Sequence, residues 1–147
     1  MSRVSIQSEN FDTGAELALL GASGGGAVAS FIGVVRGEGG LTALELHHYP
    51  AMTKLQVQRI VDEAMERWPL LDVRVIHRFG RLTPGEHIVF VGTASRHRAA
   101  ALESCAFLID WLKSQAPFWK KEYFADGGTA WVEARAEDEA KTQDWAR

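Results

Sequence analysis

The sequence has a single cysteine, Cys105, among its 147 residues. That excludes an internal disulfide, and no Cys/His spacing resembles a structural zinc site. It also lacks a basic excess: 16 Lys and Arg stand against 19 Asp and Glu, for a formal net charge of -3. General nucleic-acid binders carry surplus cations that release counterions from phosphate, so this balance argues against that class while leaving room for a local anion site. No stretch approaches the roughly 18 apolar residues of a membrane span, and Met1 to Asn10 has no basic start followed by an apolar run. Neither membrane insertion nor secretion is expected, and a reducing cytoplasm fits an unpaired thiol. What is present is 46% hydrophobic and 24% charged residues, the composition of one globular domain with one packed core. That domain is read as residues 1–147, with a polar tail from about residue 136.

Periodicity divides the chain into alternating elements. Residues 12–20 read as a short helix capped by Asp12 or Thr13, ended by the glycine-rich Gly21–Gly26, which is taken as a flexible connector. Residues 27–36 are apolar on both alternating faces, as expected for an interior strand of a sheet covered on both sides. Gly37-Glu-Gly-Gly40 turns the chain into a second strand at 42–48, and Pro50 opens a helix that stops before Pro69. A strand at 72–79 alternates Val73, Val75, His77 and Phe79 with more polar partners, which predicts burial mainly on one face. Thr83-Pro-Gly-Glu86 has the residues of a type II turn, residues 87–95 form another strand, and Ser95 is placed to cap a helix from about His97 to Gln115. In that helix Leu102, Cys105, Ala106, Ile109 and Leu112 form one stripe, which Phe107, Leu108 and Trp111 widen. Beyond Pro117, Asp126-Gly-Gly128 joins two strands, 118–124 and 129–134, into a hairpin. The mixture of helices and hairpins predicts an α+β fold, a single mixed and largely antiparallel sheet packed by helices.

Chemistry concentrates in Leu112-Lys113-Ser-Gln-Ala-Pro117-Phe-Trp-Lys120-Lys121, where a helix end, a proline break and a strand start bring cations together. Lys113 and Lys120 sharing one cavity would lower each other's pKa and bind an anion. As solvated charges they would instead complement the helix dipole. Arg96-His97-Arg98 at a strand-to-helix junction reads either as an anion site built on free backbone N–H groups or as a charged surface turn. Arg36 closes an apolar strand, where it either aims a guanidinium into a cleft or marks the strand edge. Weaker signals point to structure. Gly21–Gly26 lacks the Gly-Lys-Ser/Thr ending of a P-loop. Adjacent His47 and His48 point to opposite faces of a strand, poor geometry for one metal. Cys105 lies on an apolar stripe as a core thiol, and His77 reads as structural too.

Taken together, Phe31-Ile-Gly-Val-Val-Arg36, Leu44-Glu-Leu-His-His-Tyr-Pro-Ala-Met52, Val75-Ile-His-Arg78 with Gly80, Ser95-Arg-His-Arg98, Ala116-Pro-Phe-Trp-Lys120 and Trp131-Val-Glu-Ala-Arg135 resemble the molybdopterin synthase large (catalytic) subunit family. The resemblance spans roughly residues 25–135 in family order. It implies an α/β hammerhead-like fold and a homodimer within a heterotetramer. Each subunit would bind a small β-grasp sulfur carrier whose C-terminal Gly-Gly tail, as a thiocarboxylate, enters the active site. Sulfur would pass to cyclic pyranopterin monophosphate to form the dithiolene of molybdopterin, with no cofactor and no metal required. By the same resemblance Lys113 and Lys120 are the catalytic lysines. Arg36, His97, Arg98 and Arg135 belong to the anion pocket, some donated across the dimer interface, and Phe31 and Ile109 line it. The short glycine turn at 37–40 and Ile109, where methionine is expected, depart from the family pattern. Two other functions fit parts of the sequence: a docking module that binds the carrier without chemistry, and a small phosphohydrolase using His97, which lacks a recognisable nucleophile or metal set.

Overall fold

The hydrophobic residues are distributed over two four-stranded sheets and the helices that cover them. In the computed structural model, residues 3–132 and 136–145 are described. They form β1 (Val4–Gln7), α1 (Thr13–Gly21), β2 (Ala27–Val34), β3 (Leu41–His48), α2 (Pro50–Arg67), β4 (Leu70–Arg78), β5 (Gly80–Leu82), β6 (His87–Ser95), α3 (Arg98–Ser114), β7 (Phe118–Phe124), β8 (Thr129–Val132) and α4 (Ala136–Asp144). The first sheet has the order β1-β4-β6-β2 and the second β5-β3-β7-β8. Every pairing is antiparallel except β1 with β4. The fold is therefore α+β and mixed, as the sequence predicts, but its strands divide between two sheets.

Alternation explains how each sheet is covered. Val73, Val75 and Val91 on one face of the first sheet meet Val57, Ile60, Val61 and Ala64 of α2 and Ala101, Cys105 and Leu108 of α3. The intervening residues Ile76 and Phe90 pack with Leu20 of α1. A third cluster, Val35, Leu44, Leu46 and Leu82, fills the second sheet. Burying a Val, Leu or Phe side chain stabilises by about 1.5–3 kcal/mol, so these positions dominate the favourable side of folding.

Several sequence expectations change here. Among the described residues β2 pairs only with β6, so the strand in 27–36 is an edge strand and not an interior one; the expected cover on both faces is present, with α3 on one side and α1 on the other. Strand β4 is buried on both faces towards its end, where Ile76, His77 and Arg78 are all buried, since α1 covers the side expected to be wet. The stripe of α3 is rotated from the expected one. Ala101, Ser104, Cys105, Phe107 and Leu108 are buried, while Leu102 is 60% exposed. His97, not Ser95, is the N-cap, although the Ser95 hydroxyl still accepts the His97 N–H at 3.4 Å.

The glycine run is not a loose connector at its end. A Cβ on Gly25 would stand 2.3 Å from the Ser95 carbonyl oxygen, so the run lets two backbones touch. The predicted polar tail contains α4, whose neighbour Trp145 donates its indole N–H to the Asp110 carboxylate at 2.8 Å and packs against Trp68 and Phe107.

Candidate active site

Three elements end at one cleft of about 760 Å³. Strand β2 contributes Phe31 and delivers Arg36 just past its end, the last turns of α3 contribute Ile109 and Lys113, and β7 contributes Phe118, Lys120 and Glu122. The β7 residues share the cleft because a strand points every second side chain the same way. Trp119, Lys121 and Tyr123 alternate with them; the Lys121 ammonium lies over the rings of Tyr123 and Trp131, at 5.3 and 5.6 Å from their centroids. Pro117 is what permits this arrangement: it ends the path of α3 within a few residues of Lys113 and starts an extended segment.

Cations outnumber carboxylates among the charged residues of the cleft, and apolar residues lie between them. Arg36, Lys113, Lys120 and, from α4, Lys141 line it together with two carboxylate residues, Asp110 and Glu122. The Asp110 carboxylate is already engaged by Trp145. The Lys113 ammonium lies 5.8 Å from the centre of the Phe31 ring, a cation–π distance that holds the amine over an apolar wall. That wall continues through Val89, Val91 and Phe118. Gathered cations in a partly desolvated recess attract anions and stabilise negative charge that develops there.

His77 of β4 and Phe118 of β7 join the two sheets at the cleft. Their rings stack with centroids 3.8 Å apart and planes 15° from parallel. His48 extends the contact, tilted against Phe118 and against Phe79. Burial pushes the His77 pKa down to about 4, and the nearby Lys120 charge adds to this. Burial also lowers His48 and pushes the Cys105 thiol up to about 11, which leaves it un-ionised and far from a nucleophile's range.

Of the site residues read from sequence, Arg36, Lys113, Lys120, Phe31 and Ile109 come together in the cleft. His97 and Arg98 do not line it; they are exposed at the start of α3, at the opposite end of that helix from Lys113. Arg135 lies outside the described residues. Sequence reasoning missed His77, Glu122 and Lys141. Period-two spacing from Lys120 gives Glu122 and Phe118 directly, whereas Lys141 sits in a segment with no apolar pattern to place it. Among the described residues no three His, Cys, Asp or Glu side chains are grouped to hold a metal. No helix among them is long and apolar enough to cross a membrane.

A family model described as MoaE protein matches residues 6–115. The chain belongs to the MoaE protein family. Its MoaE relatives include the molybdopterin synthase catalytic subunit of Mesorhizobium japonicum, to which it is 52% identical over 146 residues, covering 97% of this chain and 92% of that protein. The protein of the same name from Cereibacter sphaeroides is 50% identical, with 97% and 99% covered. The solved structure of a molybdopterin biosynthesis MoaE protein from Burkholderia ambifaria superposes with a TM-score of 0.84 at 45% identity, over 100% of this chain and 99% of that one. Membership agrees with the resemblance carried by the sequence motifs.

Proposed function

We propose that this chain is the catalytic subunit of a molybdopterin synthase, moving sulfur from the C-terminal thiocarboxylate of a small carrier to cyclic pyranopterin monophosphate. The observation that carries the reading is the convergence of Lys113, Lys120 and Arg36 on one cleft with an apolar wall. Both reactants are anionic at the reacting end, a thiocarboxylate and a phosphate, and both suit such a recess. In this reading the carrier's Gly-Gly tail enters extended, without side chains to obstruct a narrow approach, and backbone hydrogen bonds supply part of its affinity. Each sulfur delivered leaves the carrier ending in a carboxylate, so two loaded carriers serve one dithiolene.

Lys113 and Lys120 are the groups placed to stabilise the oxyanion and to move protons as the cyclic phosphate opens. Arg36 is placed to hold the phosphate as a fixed cation. His97, Arg98 and Arg135 enter this scheme as residues that a second subunit brings to the pocket, which makes the working unit a homodimer with one carrier per subunit, a heterotetramer. A cytoplasmic setting fits the buried, unpaired Cys105.

Reconstitution with a carrier thiocarboxylate and the pterin precursor tests the reading. Lys113→Ala is expected to lower the rate of dithiolene formation about 10²-fold or more, the scale of removing one preorganised charge-stabilising group, with the far-UV spectrum unchanged. Near-normal product formation by that variant would refute the role assigned to Lys113.

A further inference from the structure

The apolar wall of the cleft holds a polar atom with no hydrogen-bond partner among the described residues. His77 is 5% exposed and lines the cleft. Its Nδ1 lies 2.8 Å from the Arg78 carbonyl oxygen. A carbonyl only accepts, so Nδ1 carries the proton and donates, and the lone pair resides on Nε2. The face of the ring is covered by Phe118. Burial keeps the imidazole neutral at physiological pH, with a pKa near 4, so Nε2 remains an acceptor. Nε2 has no hydrogen-bond partner among the described residues, yet it is not sealed from solvent as His87 Nδ1 is.

An acceptor of this kind discriminates. Phosphate and thiocarboxylate oxygens or sulfur present lone pairs, which a neutral Nε2 repels. An N–H group presents the complement, and leaving a buried acceptor unmatched is costly. The cations at Arg36, Lys113, Lys120 and Lys141 provide for the anion, Lys120 standing near enough to His77 for its charge to be felt there, so one cleft offers two different chemistries. We propose that Nε2 of His77 accepts a hydrogen bond from an N–H donor on the heterocyclic end of the substrate, seating the ring on the apolar wall and leaving its phosphate to the cations. This deepens the proposed function and rests on it. A reduced pterin has ring and exocyclic N–H groups able to fill the role.

Wild-type protein labelled with 15N-histidine gives the direct test. Adding cyclic pyranopterin monophosphate to the carrier-free protein is expected to move the His77 Nε2 resonance, while inorganic phosphate at the same concentration leaves it in place. Kinetics supply the second arm. His77→Phe keeps an aromatic ring against Phe118 but removes the acceptor, and is expected to raise KM for the pterin about tenfold, the scale of one lost hydrogen bond, with kcat within about threefold and carrier affinity unchanged. His77→Gln, which offers both an amide N–H and an acceptor oxygen, is expected to recover most of that loss. A stationary Nε2 signal in a protein that still forms product overturns the inference and leaves the proposed function intact. An equal shift with phosphate, or a fall in kcat at unchanged KM, overturns it as well. If wild-type protein neither binds the pterin nor turns it over with a loaded carrier, the functional reading fails and this inference falls with it.

Discussion

His77 enters the fold neutral, and that has a sign. Its pKa falls from an ordinary 6.5 to about 4 through burial, so as pH drops the unfolded chain takes up a proton before the folded one does. Its contribution to stability is therefore full above pH 6.5 and is lost progressively as pH falls towards 4. In urea melts across that window the wild-type protein is expected to lose stability more steeply than His77→Phe, and coincident slopes would contradict the burial argument. Gly25 makes a different kind of claim. Because a methyl group there would meet the Ser95 carbonyl, which is backbone and cannot swing aside, as well as the Leu71 side chain, Gly25→Ala is expected to cost about 1–3 kcal/mol, the usual range for overpacking, as a lowered urea midpoint at unchanged m-value. Neither residue was legible in the sequence for what it does. A histidine in an apolar strand reads as structure because its pKa and free nitrogen depend on a ring forty-one residues later in the chain. A glycine run reads as slack because close approach leaves no mark in composition. Lys113 and Lys120 were legible, since a helix end, a proline and a strand start lie within one short segment.

Elements show where pattern reading succeeds and where it slips. The helix at Pro50–Arg67 and the strands flanking it follow directly from proline at N1 and from 3.6-residue and two-residue periods. Helix α3 has so much apolar surface that its phase is ambiguous from sequence; only its neighbours decide that Ala101, Cys105 and Leu108 face the core. Helix α4 carries no apolar stripe at all, and it holds its place through groups at its end. Thr142 bonds the Asp110 carbonyl at 2.7 Å and pairs with the Ser114 hydroxyl, and Trp145 covers Phe107. Trp145→Ala is expected to destabilise the protein by roughly 1–3 kcal/mol through lost aromatic packing and an unpaired Asp110 carboxylate. Chemical denaturation followed by the remaining tryptophans checks it, and a change below about 0.5 kcal/mol would mean that α4 is not docked through this residue.

Across the whole molecule, the fold class was readable because helices and hairpins alternate without a regular βαβ repeat, but the division into two sheets was not. Strand β3 pairs with β7, with Leu46 opposite Lys120, and no local signal announces a partner that distant. The charge arrangement also belongs to this scale. A chain of net charge -3 nevertheless gathers Arg36, Lys113, Lys120 and Lys141 around one cleft, so attraction of an anionic tail is local and is screened over about 10 Å at 0.1 M salt. Carrier affinity is accordingly expected to weaken several-fold between about 50 and 300 mM salt, and Lys120→Gln is expected to flatten that dependence, both read by isothermal titration. A salt-independent affinity would place carrier recognition elsewhere on the surface.

The stretch that follows Pro117 stores its message as odd and even. Phe118, Lys120 and Glu122 look inward, and Trp119, Lys121 and Tyr123 occupy the alternate positions of the same strand. A single extra uncharged residue directly after Pro117 would exchange the two sets, turning the Lys120 ammonium outward and the Trp119 indole inward while leaving the charge unchanged. Chemistry here is thus guarded by a count as much as by the identity of any side chain.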